Sequence, residues 1–208
     1  MNSVTMEDVE LAVRAMIDVA LENEAYFSDL DGVVGDADFG VSLATGFREI
    51  DAKWDTLDRT SIGHFFLAIS QIITGKVGGC SGPIWGTAFM RAGIVARDKS
   101  ELSADDIGQI FERAIDGIKA RGGAEEGDKT LLDALCPMSR AFEAEKNGEP
   151  LPAVVAAAEQ AVEDTRNLEA RRGRQSFTGE RSIGTLDPGC VAVATMTKRI
   201  AETAKQSA

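Results

Sequence analysis

Apolar residues recur three and four positions apart along almost all of this 208-residue chain, and no stretch alternates convincingly between apolar and polar. The first spacing lines one face of a helix, whereas a half-buried strand needs the second. An all-α fold is therefore expected, with eight helices. Val9, Val13, Met16, Ile17 and Ala20 form the first apolar face, behind a capping box of Thr5 and Asp8. A second helix is expected over about 40–51, burying Leu43, Phe47 and Ile50, and a third, apolar almost all round, over 61–77. The fourth takes Ser81 as N-cap and Pro83 in its first turn and runs to about Arg97. Ser103 and Asp106 repeat the capping pattern ahead of Ile107, Ile110, Phe111, Ala114, Ile115 and Ile118, and Gly122-Gly123 ends that helix. The last three cover about 130–147, 152–170 and 189–203. Short connections make successive helices antiparallel neighbours in a closed bundle or barrel. No linker or repeat divides the chain, so residues 1–208 read as one domain.

The formal charge of −12 disfavours nucleic-acid backbone or an anionic membrane as partner, since both call for a basic patch. No apolar run reaches the roughly 18 residues of a membrane span. The opening residues carry Glu7, Asp8, Glu10 and Asp18, which no signal peptide would. Cys80, Cys136 and Cys190 are odd in number, far apart and outside any Cys-x-x-Cys, as expected of reduced thiols in a cytoplasm. His64, the single histidine, lies among Ile62, Phe65 and Phe66 and is expected in the core or on a helix surface rather than in catalysis.

One loop concentrates the chemistry. Asp31, Asp36 and Asp38 fall within eight residues, with Gly32, Gly35 and Gly40 between and around them. Carboxylates this close repel unless a cation lies among them, and oxygen ligands alone select a hard ion such as Mg2+. The bland alternative is a solvated acidic turn. Three known motifs compete for the same residues. Asp29-Leu30-Asp31-Gly32-Val33 resembles the nucleophile motif of haloacid-dehalogenase-type phosphatases, but no apolar strand precedes it. Asp38-Phe39-Gly40 copies the metal-binding tripeptide of protein kinases without the rest of that signature. An EF-hand needs Glu at its twelfth position, where Gly40 stands.

Other loops carry unusual polar residues. Gly78-Gly79-Cys80-Ser81-Gly82-Pro83 enters a helix N-terminus, which is either an anion site or an ordinary tight turn. Gly127-Asp128-Lys129-Thr130 is either a capped helix start with a surface lysine or a support for a ligand and its loops. Arg171-Arg172-Gly173-Arg174 is either a solvated helix end or a counter-charge to an anion or to a carboxylate of the aspartate loop. Residues 179–184 and Asp187-Pro188-Gly189 complete a long segment poor in core residues, as binding loops and lids are.

Taken in order, residues 35–40, 78–83, 127–130 and 173–184 leading into Asp187-Pro188-Gly189 resemble the nucleotide-binding (L) subunit of dihydroxyacetone kinases over nearly the whole chain. The resemblance implies an eight-helix barrel with ADP or ATP at one loop end, and two Mg2+ held by Asp31, Asp36 and Asp38. It further implies that Phe39, Gly40, Ser42, Cys80, Ser81, Gly122, Leu131, Arg174, Asp187, Pro188 and Gly189 form the nucleotide site, with Gly40 and Ser42 starting the helix behind the metals. No side chain is implied as general base. Phosphoryl transfer to dihydroxyacetone or a related ketose is implied, with the ketose held on a histidine of a separate subunit, so that this chain is half an enzyme. The phosphoryl donor is either ATP or a phosphohistidine protein of the sugar phosphotransferase system that recharges a resident ADP. The family usually has histidine where Phe39 stands, which changes the phosphate contact. Two other readings stay open: a metal-dependent phosphatase using Asp29, and a nucleotide sensor that binds a regulator without transfer.

Overall fold

In the computed structural model, which describes residues 3–207, nine α-helices account for nearly all regular structure among the described residues. Residues 1, 2 and 208 of the expected unit lie outside them. The helices are α1 (Met6–Glu22), α2 (Glu24–Gly32), α3 (Phe39–Ala52), α4 (Ile62–Lys76), α5 (Ser81–Ala96), α6 (Ala104–Gly122), α7 (Leu132–Glu145), α8 (Pro150–Asp164) and α9 (Pro188–Ser207). Local chemistry explains most of their ends. Capping boxes start α1 at Thr5 and α6 at Ser103, and Ser61 caps α4. Gly123 closes α6 in the left-handed region at φ +61°.

Four features depart from expectation. Helix α2 replaces an expected loop: Phe27 is its one fully buried residue, so its sequence shows no apolar stripe. Ser81 is the first helical residue of α5 and caps nothing, while Cys80 holds the N-cap position without a side-chain bond. Helix α8 stops at Asp164, residues 165–167 form a 3-10 turn, and a second 3-10 stretch, Arg174–Ser182, kinked at Gly179, lies in the connection to α9. Two-residue strands, β1 (Val4–Thr5) and β2 (Glu101–Leu102), pair antiparallel with Val4 opposite Leu102, too short for alternation to show.

Packing closes a ring in the order α1, α3, α4, α5, α6, α7, α8, α9 and back to α1, with α2 set against α3 and α9. Those eight helices are the expected antiparallel barrel. Its interior is a continuous apolar cluster that includes Phe47, Phe65, Ile69, Ile73, Phe142 and Met196. Among the described residues no helix is long and apolar enough to cross a membrane. Antiparallel order brings alternate connections to the same end: residues 33–38, 77–80, 123–131 and 165–187. At that end α2 is pressed onto α3. A Cβ at Gly40 would run into the backbone carbonyl of Glu24 and the hydroxyl of Ser28. This contact sets the first half of α2 against the first turn of α3, and Asp31 in the last turn of α2 reaches the backbone of Asp38 and Phe39 at the start of α3.

Candidate functional site

The aspartate loop is wound around one carboxylate. Asp31 Oδ2 accepts from the backbone N–H of Asp38 at 3.0 Å and of Phe39 at 3.3 Å, and its carbonyl accepts from Gly35 N–H at 2.6 Å. A Cβ at Gly35 would collide with the same carboxylate, and Ala37 takes φ +60° to complete the turn. In consequence, one carboxylate oxygen from each of Asp31, Asp36 and Asp38 lies within 4.8 Å of the other two. Burial raises the Asp31 pKa above the usual carboxylate value; the two N–H donors oppose the rise, and the Asp36 and Asp38 charges add to it. Three anionic oxygens with no competing nitrogen or sulfur donor form a set suited to a hard divalent cation. Arg174 Nε pairs with Asp36 at 2.6 Å, so the basic run does meet a carboxylate of this loop.

These carboxylates stand on the wall of a cavity of about 280 Å³ at the shared loop end. The connection into α5 supplies Gly78, Gly79, Cys80 and Ser81, and no side chain caps that helix. Exposed N–H groups at such a start attract an anion. Ile84, Trp85, Ile118, Ala124 and Leu131 supply apolar lining, and Gly122, Asp187, Pro188 and Gly189 complete it, Gly189 lying against Leu131. Of the residues singled out from sequence, Phe39, Cys80, Ser81, Gly122, Leu131, Arg174, Asp187, Pro188 and Gly189 line this one cavity. Gly40 and Ser42 do not. Gly40 is buried between α2 and α3, and Ser42 lies behind Gly78, where a Cβ would come 3.1 Å from its hydroxyl. The Phe39 ring leans on Phe27 at 6.3 Å between centroids, packing the barrel rim while lining the cavity.

Arg172 of the basic run lines the cavity too, and Ile84, Trp85, Ile118 and Gln175, which were not anticipated, do so as well. Helical spacing marks three of them: Ile84 and Trp85 are one turn beyond Ser81, and Ile118 is one turn before Gly122. Gln175 carries no such signal.

Lys129 is fully buried. Its ammonium donates to the carbonyls of Leu168 at 3.2 Å, Ser182 at 2.5 Å and Thr185 at 2.8 Å, so all three donors are matched by acceptors. Burial lowers its pKa, which the nearby Asp187 charge counters. The reading of a capped helix start with a surface lysine is thus corrected, since α7 begins at Leu132 and Lys129 instead ties down the segment behind the cavity. Gln175 Nε2 donates to the Lys129 carbonyl at 3.0 Å and to Asp187 Oδ2 at 2.7 Å. Asp187 Oδ1 in turn accepts from Cys190 N–H at 2.7 Å at the start of α9. Burial pushes the Asp187 carboxyl up to about 6 against these two donors. Asp29 is exposed on α2, away from the cavity lining and preceded by no strand, so the setting of a phosphatase nucleophile is missing.

Comparison with known proteins places this geometry. The DAK2 domain family matches residues 33–202. The chain is 35% identical to the "PEP-dependent dihydroxyacetone kinase, ADP-binding subunit DhaL" of Escherichia coli over 194 residues, covering 91% of this chain and 92% of that protein. It is also 35% identical to the L-erythrulose 1-kinase of Mycolicibacterium smegmatis, but covers 33% of that longer protein. Among solved structures, the dihydroxyacetone kinase of C. freundii in complex with AMP-PNP and Mg2+ superposes with a TM-score of 0.75 at 25% identity, over 98% of this chain and 35% of that one.

Proposed function

The chain belongs to the DAK2 domain family, and on that premise we propose that it is the nucleotide-binding subunit of a kinase for dihydroxyacetone or a close short ketose. One observation carries the proposal: three carboxylates meet within 4.8 Å on the wall of a cavity whose next wall is an uncapped helix start. Asp31, Asp36 and Asp38 would hold two Mg2+. Bound there, the metal screens phosphate charge and stabilises the charge that develops in phosphoryl transfer. The aspartate loop and the start of α5 bind and orient the phosphates, with Ser81 adding a hydroxyl donor. Arg174 is divided between Asp36 and any anion in the cavity. Gly122, Leu131 and the Asp187–Gly189 turn surround the rest of the nucleotide, and the apolar stretch at Ile84 and Ile118 excludes water from it. Among the described residues the cavity lining holds no histidine, and its carboxylates are Asp31, Asp36, Asp38 and Asp187; in this reading a separate subunit presents the ketose hydroxyl.

ADP as a resident cofactor, recharged by a phosphohistidine protein, is the favoured donor arrangement, because the E. coli relative of matching length is named PEP-dependent and ADP-binding. ATP as direct donor is the second reading, favoured by the AMP-PNP complex of the longer C. freundii enzyme. The unit spans residues 1–208, and its three free cysteines suit a reducing cytoplasm. Native mass spectra of the freshly purified protein, before and after EDTA, test the proposal. Retained ADP with two Mg2+, lost on chelation, supports the cofactor arrangement. Uptake of nucleotide only when ATP and Mg2+ are added supports the second. Absence of nucleotide binding in both would overturn the assignment.

A further inference from the structure

We infer that Gln175 reads the nucleoside portion of the ligand through its side-chain oxygen, an inference that rests on the nucleotide reading of the cavity. Gln175 is 9% exposed and forms part of the cavity wall. Its amide nitrogen has two hydrogens, and both are used, on the Lys129 carbonyl and on Asp187 Oδ2. The amide orientation is therefore forced: turned over, Oε1 would face a carbonyl and a carboxylate, acceptor against acceptor. In the forced orientation Oε1 is a buried acceptor without a hydrogen-bond partner. Such an atom costs stability, and the two bonds made by Nε2 leave it unmatched. A partner can come from a molecule that enters the cavity.

The position of Gln175 says which part of that molecule. Gln175 is fastened to Asp187 and to the carbonyl of Lys129, in the region where Gly189 approaches the Leu131 backbone. Leu131, Ile84 and Ile118, which pack in one apolar cluster on the cavity wall, offer a surface suited to the faces of a base. Only a hydrogen-bond donor satisfies Oε1, which on an adenine nucleotide means the exocyclic amine or a ribose hydroxyl. A base carbonyl at that edge would oppose it. Because the oxygen is screened from solvent, the contact requires a small movement of the Gln175 side chain as the ligand enters.

The test is a ligand series on the full chain with Mg2+, read by tryptophan fluorescence and calorimetry, in wild type and in Gln175→Met. ADP is compared with inosine diphosphate, which carries a carbonyl in place of the amine, and with the 2′-deoxy and 3′-deoxy forms of ADP. Wild type is expected to lose about tenfold in affinity for one altered ligand, and Gln175→Met to bind it within about twofold of ADP. A penalty on inosine diphosphate identifies the amine, and a penalty on a deoxy form identifies the ribose. Ratios taken within one protein cancel any general loosening from the lost Lys129 and Asp187 contacts. Should the variant fail to fold, the side-chain carbonyl 13C shift of Gln175 in wild type decides, moving with ADP but not with the penalised ligand. Equal affinities across the series in wild type, or unchanged discrimination in Gln175→Met, would overturn the inference. Loss of all nucleotide binding would instead remove the reading beneath it.

Discussion

At the residue scale, three side chains carry separable roles. Asp31 accepts two backbone N–H groups that an asparagine oxygen can also accept, so Asp31→Asn should keep the fold while removing one of three clustered charges. The expected outcome by calorimetry is a fall of about 100-fold or more in Mg2+-nucleotide affinity, on the order of 3 kcal/mol, with no loss of apo melting temperature, because the repulsion among Asp31, Asp36 and Asp38 is relieved. Lys129 behaves oppositely. Lys129→Met would leave the carbonyls of Leu168 and Thr185 without donors and remove one of those on Ser182, and should cost about 2–4 kcal/mol in urea unfolding. Asp187 gives a pH signature. Its folded carboxyl, pushed by burial from 3.8 to about 6, binds protons more readily than in the unfolded chain. Between about pH 4 and 6 the native state thus holds more protons. Stability from this group is greatest below pH 4 and declines by up to about 3 kcal/mol as pH rises through 6. Urea midpoints of wild type and Asp187→Asn compared at pH 4, 5, 6 and 7 check it: wild type should gain on the variant as pH falls.

At the element scale, the contact between α2 and α3 positions the aspartate loop. Asp31 ends one helix, and Asp38 and Phe39 begin the next, so the spacing of the carboxylates depends on how closely the two helices approach. Gly40 permits that approach. Gly40→Ala is expected to cost about 1–3 kcal/mol, as overpacking does, and to weaken Mg2+ binding as well. Thermal melting and metal titration on one sample measure the pair of effects, and loss of stability with unchanged metal affinity would break the proposed link. The capped helices were readable because a cap and an apolar face are written within one or two turns of sequence, as at Thr5 with Asp8 and Ser103 with Asp106. Helix α2 was not, since a single buried Phe27 leaves no face to detect.

Across the whole molecule, alternation of direction round the barrel collects four connections at one end, and the cavity forms where they meet. The chain as a whole is strongly anionic at −12. A polyphosphate approaching it gains little from long-range attraction and depends on local charge at Arg174, at the start of α5 and from bound cations. Removing Mg2+ with EDTA should therefore abolish ADP binding, while added monovalent salt at constant Mg2+ should change it by less than about tenfold. A salt dependence as steep as the Mg2+ dependence would show that bulk charge, and not the aspartate cluster, governs affinity.

The sequence by itself determined the helices with clear faces and caps, the closed all-α arrangement that short connections impose, and the aspartate and glycine loops as the places where chemistry gathers. Those signals are local: they depend on neighbours within a few positions. Tertiary structure alone decided the rest. It buried Lys129 against carbonyls 39, 53 and 56 residues away, turned Arg174 onto Asp36, moved Ser42 behind Gly78 and out of the cavity, and left the Gln175 oxygen without a partner. Each of these outcomes depends on which distant backbone groups the closed ring brings within 3 Å or so of a side chain, and no periodicity along the chain encodes that.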